Sequence, residues 1–103
     1  KDLPTLLFDE IDTGVSGEVA AKMAKVFETL GEKSQLITIT HLPQIAGKGN
    51  RHYHVFKSDA DDKTRTKVVL LSAEARIKEL AKMISGERIT ESALANAKEL
   101  LNN

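Results

Sequence analysis

An apolar run that ends in two adjacent acids, Leu6-Leu7-Phe8-Asp9-Glu10, constrains the fold of this chain more than any other stretch. A short apolar run of this kind is typical of a buried β-strand. Because α/β proteins bind ligands outside the carboxyl ends of their strands, acids at the tip of such a strand lie where binding occurs. The stretch therefore predicts a strand from about Thr5 to Phe8 that delivers Asp9 and Glu10 to a ligand-binding edge.

Two neighbouring carboxylates at a strand end suit the hydrolysis of a nucleotide. Consecutive strand residues point to opposite faces, but the backbone begins to turn at the tip. Asp9 is then free to help hold a divalent metal while Glu10 orients a water molecule, and phosphoryl transfer depends on that positioning. A buried strand that simply ends in solvated acids is the alternative explanation of this short motif.

The next segment, residues 12–17, predicts a sharp turn into a helix, because Gly14 and Gly17 supply backbone freedom. Ser16 is a good N-cap for that helix, and Gly31 is well placed to end it as the C′ residue. A capped strand-to-helix loop without function is the alternative explanation of this segment. Apolar residues at helical spacing predict one buried helix face. They are Val19, Met23, Val26, Phe27 and Leu30.

A second β-branched run, Gln35 to Thr40, predicts a strand that ends at His41. A strand–helix–strand unit of this length is expected to be parallel with a right-handed crossover. The tips of both strands then point the same way. Asp9, Glu10 and His41 are therefore predicted to meet at one edge of the sheet.

The rest of the chain predicts a hairpin and two helices. Pro43 is expected to open a short helical turn. The runs His52–Lys57 and Thr64–Leu71, joined by a polar link over 58–63, predict an antiparallel hairpin. A helix is predicted over Ala73–Ile84, capped by Ser72, and a last one runs from the Thr90 cap to about Leu101. The inward positions are Ile77, Leu80, Ala81, Ile84, Leu94, Ala97 and Leu101.

Composition sets the class of protein. The 103 residues include 15 basic and 15 acidic side chains and no cysteine. Balanced charge gives no global case for binding nucleic acid or membranes. Lys48, Arg51 and Lys57 are candidates for a local basic patch, although scattered surface cations explain them better. No stretch has the ~20 apolar residues that a membrane span needs. Because Lys1-Asp2-Leu3-Pro4 leads almost directly into a strand, we expect a piece of a longer protein whose open apolar surface promotes self-association.

Two other candidate sites and one missing motif also bear on the function. His41, His52 and His54 suggest zinc, but no fourth ligand is evident. Ile84-Ser85-Gly86-Glu87 resembles a cassette signature superficially, and helix termination explains it better. No Gly-x-x-x-x-Gly-Lys-Ser/Thr string occurs, so the loop that cradles phosphates is absent from this sequence.

With these residues in view, the chain resembles the C-terminal end of an ATP-binding cassette head. The order is Walker B (6–10), D-loop (13–16) and switch histidine (Thr40-His41). More narrowly, the strings Phe8–Gly17 and Ile39–Ala46 are similar to the RecN family, the SMC-like proteins of bacterial double-strand-break repair. Transporter cassettes usually place Pro-Thr after the glutamate and an aspartate at the end of the D-loop. This chain has Ile11-Asp12 and Ser16 there, which supports the narrower resemblance.

The resemblance implies an α/β fold: the C-terminal lobe of a partial P-loop NTPase (an ABC/SMC-like head) over residues 1–103, with a parallel βαβ unit, an antiparallel hairpin and two C-terminal helices. It implies that Asp9 helps hold Mg²⁺, that Glu10 polarises the attacking water and that His41 senses the γ-phosphate of ATP. The D-loop would face a second head, and its residues together with the preceding Asp12 would bind the cofactor. They are Asp12, Thr13, Gly14, Val15 and Ser16.

The implied partners are the N-terminal lobe of the same head, a second head in an ATP-sandwich dimer and DNA, with no membrane. ATP and Mg²⁺ would act in the full-length protein, in the bacterial cytoplasm at the nucleoid. The alternatives are an ATPase subunit of a transporter and a non-catalytic α/β interaction module. A receiver-like signalling domain fits less well, since only two parallel strands are evident.

Overall fold

The computed structural model describes residues 4–60 and 63–102. The first three residues, and Asp61-Asp62 in the predicted hairpin link, lie outside the described residues. The secondary-structure elements follow one another as β1 (Thr5–Asp9), α1 (Gly17–Gly31), β2 (Gln35–Ile39), α2 (Pro43–Ala46), β3 (Tyr53–Ala60), β4 (Lys63–Leu70), α3 (Ala73–Ser85) and α4 (Glu91–Asn102). This order confirms the predicted α/β class.

Strands β1 and β2 form a parallel pair, as predicted. The register runs from Thr5 opposite Gln35 to Asp9 opposite Ile39, so the two strands end level with each other. One face of the pair packs on α1, where the Phe8 ring stacks on a helix residue, Phe27, at a centroid distance of 5.1 Å. The register aligns the C-terminal ends of the two strands, and the packing on α1 fixes the position of the pair.

Helix α1 begins at the predicted cap. The Val19 N–H donates to Ser16 Oγ at 3.3 Å, and Glu18 lies in the first turn, where an acid suits the positive end of the helix. The buried residues of the helix are Ala20, Ala24 and Phe27. Two small residues in this stripe let the helix approach its neighbours closely.

The prediction that Val19 and Val26 of α1 lie in the core is wrong. Val26 is 57% exposed and Val19 is 45% exposed, because β1, β2 and α2 cover only the narrow stripe that begins at Ala20. The predicted end of the helix is also wrong in detail. Gly31 is the last helical residue rather than a left-handed C′ residue, and Glu32 caps the helix in an ordinary right-handed conformation.

Helices α3 and α4, both predicted, pack on each other and form a second core. Its fully buried members are Leu80 and Ala81 of α3 and Ala93 and Ala97 of α4. Ser72 caps α3 and the Thr90 hydroxyl accepts from the N–H of Ala93 at 3.0 Å. Gly86 ends α3 with φ 83°, which agrees with helix termination as the explanation of the Ile84–Glu87 string.

The second face of the β1–β2 pair is uncovered in the described part of the chain. Leu7 is 63% exposed and Ile37 is 46% exposed, and Ile39 lies on the same face. A parallel pair is normally covered on both faces. The sheet therefore presents an apolar surface, which we call the open face (Leu7, Ile37 and Ile39), at which another protein surface fits.

We expect the 103-residue chain to self-associate through the open face, because exposed apolar patches on a strand pair favour association. Ile37→Lys is expected to lower the apparent mass measured by light scattering, since it places a charge in the middle of that face. Ala21→Lys is the matched control, because Ala21 lies on the exposed side of α1. A natural chain that stays monomeric at high concentration contradicts this expectation.

Candidate functional site

Glu10 lies where the sheet ends and the backbone turns. Its N–H donates to the carbonyl of Ile39 at 2.8 Å, which extends the parallel ladder by one bond. Its own φ is +50°, and it is the one non-glycine residue with positive φ in the described ranges. A side chain in this left-handed region is uncommon and costs of order 1–3 kcal/mol. The turn therefore takes Glu10 out of the strand alternation that Asp9 still follows.

The left-handed turn brings Glu10 to His41. Glu10 Oε1 lies 3.5 Å from His41 Nδ1, although the residues are 31 positions apart. Both side chains are more than half exposed, so each is accessible to a ligand from outside the chain. The predicted meeting of an acid and the histidine at one sheet edge is thus present in the structure.

Asp9 occupies the last position of β1 and is exposed. By strand alternation it shares the open face with Leu7, opposite Ile39 of β2. Its carboxylate has no hydrogen bond or ion pair to another described residue, so its oxygens are available. Carboxylate oxygens are ligands that Mg²⁺ prefers. The donor chemistry and exposure of Asp9 therefore fit a bound metal ion.

The loop between Glu10 and α1 is a tight turn, as its composition predicts. The Thr13 hydroxyl donates to the carbonyl of Glu10 at 2.9 Å, and the Val15 N–H donates to the carbonyl of Asp12 at 3.3 Å. Gly14 takes φ +81°, where other L-residues rarely fit. The exposed part of the turn contains Thr13, Gly14 and Ser16, and Val15 is half-buried.

Asp12 is tied to the segment that carries His41. The Asp12 side chain is only 1% exposed, and Oδ2 accepts a hydrogen bond from the Thr40 hydroxyl. Thr40 Oγ1 in turn accepts from the N–H of Leu42 at 3.0 Å. Asp12 Oδ1 is buried without a hydrogen-bond partner among the described residues. This arrangement, the Asp12–Thr40 link, joins the loop after Glu10 to the residue before His41.

Thr40 belongs to the Thr40-His41 motif, which predicts no role for it. The signal that could have found its contact is the strand register, because residues just beyond Asp9 and Ile39 must lie side by side. Asp12 was predicted to contact the cofactor. The contact that the structure shows is with Thr40, and any contact of Asp12 with a nucleotide stays a prediction.

The three histidines do not form a zinc site in the described part of the chain. His41 lies at the sheet edge, whereas His54 lies on the hairpin, 3.8 Å from Glu79 of α3. No group of three His, Cys, Asp or Glu side chains able to hold a metal occurs in residues 4–60 and 63–102. Burial, and next the Arg76 guanidinium, lower the pKa of His52, which favours its neutral form.

No helix in the described ranges is both long and apolar enough to cross a bilayer. This finding concerns the described residues alone.

Several relatives match the chain along nearly all of its length. No protein-family model matches it. It is 50% identical over 100 residues to the DNA repair protein RecN of Vibrio cholerae, and 45% identical over 100 residues to RecN of Haemophilus influenzae. RecN of Rickettsia conorii is 46% identical over 99 residues. Each match covers 96–97% of this chain, and the chain spans 18% of the length of these relatives.

Solved structures of SMC ATPases share the fold of this chain. An SMC ATPase described for its ATP-driven dimerization and DNA-stimulated activation superposes with a TM-score of 0.63 at 27% identity, over 85% of this chain and 52% of that one. The Smc head domain of Pyrococcus yayanosii, solved with a coiled coil and joint, gives a TM-score of 0.61 at 31% identity. It covers 75% of this chain and 14% of that one. In sequence, the chain therefore matches a C-terminal segment of the RecN DNA repair proteins, and in fold it matches the SMC-like ATPase heads.

Proposed function

We propose that this chain supplies one half of the ATP-hydrolysis site of a RecN-type DNA repair ATPase. The observation that carries the proposal is the meeting of Glu10 and His41, at 3.5 Å, beside the exposed carboxylate of Asp9. The two parallel strands end level with each other, so these groups lie at one edge of the sheet. The names of the relatives support DNA repair as the setting, rather than transport.

Each side chain has a chemical task that its position permits. The carboxylate of Glu10, exposed and turned out of the strand, is able to orient a water molecule and to accept its proton. The imidazole of His41 is able to donate a hydrogen bond to a terminal phosphate oxygen that approaches the same edge. Since phosphoryl transfer depends mostly on positioning and charge stabilisation, a fixed separation of the two groups is what such a site requires.

Asp9 is the residue that would hold Mg²⁺, directly or through water, because it is an exposed carboxylate next to the proposed base. Mg²⁺ bound there would supply neutralisation of charge on the phosphates. ATP fits as the nucleotide because the SMC structures that share this fold are ATPases. The tasks of Asp9, Glu10 and His41 are part of this proposal.

The remaining half of the site has to come from other surfaces. The open face has the apolar character of a sheet face that a further layer covers, which suits the N-terminal lobe of the same head. The exposed D-loop residues Thr13, Gly14 and Ser16 suit contact with a second head. An SMC ATPase with this fold dimerizes in response to ATP, which supports such an arrangement here.

We expect the 103-residue chain by itself to show no ATP turnover, because its sequence contains no loop able to cradle the phosphates. The measurement is phosphate release with ATP and Mg²⁺ under conditions that detect one turnover per hour. Glu10→Gln serves as the matched control for contaminating ATPases. Mg²⁺-dependent turnover that the Glu10→Gln chain lacks contradicts this expectation.

A further inference from the structure

One face of the β3–β4 hairpin carries a row of cations. Lys63, Arg65 and Lys67 occupy alternate positions of β4, so they share one face at intervals of about 7 Å. All three are exposed, and none has an ion pair to another residue within the described ranges. We call this row the cationic row. In a chain of zero net charge, the row places three positive charges on one face of a single strand.

Aromatic rings lie next to the cationic row. Phe56 pairs across the hairpin with Lys67, and Ser58 pairs with Arg65, so both share its face. The Phe56 ring stacks with the His54 ring at a centroid distance of 5.2 Å. The face therefore combines three cations, a hydroxyl and a stacked ring pair.

Two acids near this face, Asp59 and Glu79, are engaged elsewhere, whereas Asp61-Asp62 lie outside the described residues. Asp59 occupies an alternate position of β3, on the opposite face, and accepts from the Thr64 hydroxyl at 2.8 Å. At the base of the hairpin, Glu79 lies 3.8 Å from His54. Because β4 is exposed along its whole length, the face is open to a large partner.

We propose that this hairpin face binds the phosphate backbone of a nucleic acid. A row of Lys and Arg with an adjacent aromatic ring is the combination that binds nucleic-acid chains without reading their sequence. Acidic membranes and acidic peptides offer negative charge but no base to stack on Phe56. The inference deepens the proposed function, on which it rests for its biological setting, by naming the surface through which a repair ATPase contacts its DNA.

The test measures binding of the full-length protein to a labelled 20-base-pair duplex and to the matching single strand, by fluorescence anisotropy without ATP. The variant is Lys63→Gln/Arg65→Gln/Lys67→Gln. Loss of three phosphate contacts is expected to reduce the slope of log K against log salt by about 2.7 on the duplex or about 2.1 on the single strand. Binding at 0.1 M salt is expected to weaken at least about tenfold.

Two controls make the result specific. Lys25→Gln/Lys33→Gln/Lys98→Gln removes the same charge from exposed positions outside the hairpin and is expected to leave the slope unchanged. Lys63→Arg/Lys67→Arg keeps the charge and is expected to keep the binding. Any one of three results overturns the proposal. The first two are an equal loss of binding in the Lys25, Lys33 and Lys98 variant and no loss in the hairpin variant. The third is stronger binding to phosphatidylserine vesicles or polyglutamate than to DNA.

The same design separates this inference from the ATPase proposal. The binding assay contains no nucleotide, so it reports on the hairpin face even if the full-length protein does not hydrolyse ATP. Conversely, ATP turnover without DNA is expected to be unchanged in the hairpin variant. A protein that turns over ATP but binds DNA equally well with and without the cationic row keeps the proposed function and loses this inference.

Discussion

Glu10→Gln in the full-length protein is expected to bind ATP as tightly as the natural protein and to hydrolyse it about 10²–10⁴-fold more slowly. The amide keeps the size of the side chain and its place beside His41, but it is not able to accept a proton from water. Binding depends on the phosphate loop and is therefore spared. Single-turnover hydrolysis and equilibrium binding of a fluorescent ATP analogue measure the two effects separately.

The matched control is Glu18→Gln. Glu18 is an exposed acid of α1 whose ion pair with Lys22, at 3.9 Å, joins neighbouring turns of one helix. Such a pair contributes little, about 0.3–0.5 kcal/mol, so turnover is expected to stay unchanged. Natural turnover in Glu10→Gln removes Glu10 from the proposed role and favours a non-catalytic interaction module, in which the acids only end a strand.

Thr40→Val is expected to destabilise the chain by about 2–3 kcal/mol, because it leaves the buried carboxylate of Asp12 without its hydrogen-bond donor. It also removes the acceptor of the Leu42 N–H. Urea unfolding of the 103-residue chain, at a concentration where it is monomeric, measures the change. In the full-length protein, the same variant is expected to slow ATP turnover, since the Asp12–Thr40 link fixes the loop after Glu10 to the segment that carries His41.

Thr40→Ser and Thr29→Val are the controls for this link. Serine keeps the hydroxyl and is expected to restore most of the stability. Thr29 lies on α1 and donates only to the carbonyl of Lys25, one turn earlier, so its replacement is expected to cost less than about 1 kcal/mol. Equal losses in Thr40→Val and Thr29→Val contradict the importance of the Asp12–Thr40 link.

The strands and the sheet edge could be predicted because each depends on a local pattern. The apolar run before Asp9 and the β-branched run before His41 each indicate a strand, and the helix between them favours a parallel pair whose tips point the same way. That geometry places the acids and the histidine at one edge of the sheet, and the turn at Glu10 then completes the contact with His41. The cap residues Ser16, Ser72 and Thr90 were equally predictable, since a cap acts within one turn of its helix.

What could not be predicted depends on contacts between distant segments. Val19 and Val26 fit an apolar helix face, but which stripe is buried is decided by the narrow surface that covers α1. The bond between Asp12 and Thr40 joins residues 28 positions apart, and its burial follows from how two loops pack. The left-handed φ of Glu10 likewise arises where the last ladder bond, to Ile39, meets the turn held by Thr13.

The structure of the full-length Glu10→Gln protein with ATP and Mg²⁺ tests the central claim most directly. We expect Asp9 within the coordination sphere of Mg²⁺ or one water molecule from it. The amide oxygen of the substituted side chain and the His41 imidazole are expected on the same side of the terminal phosphate, within hydrogen-bond reach of the attacking water and of a phosphate oxygen. A nucleotide bound away from this sheet edge, or a His41 side chain turned away from the phosphate, contradicts the claim.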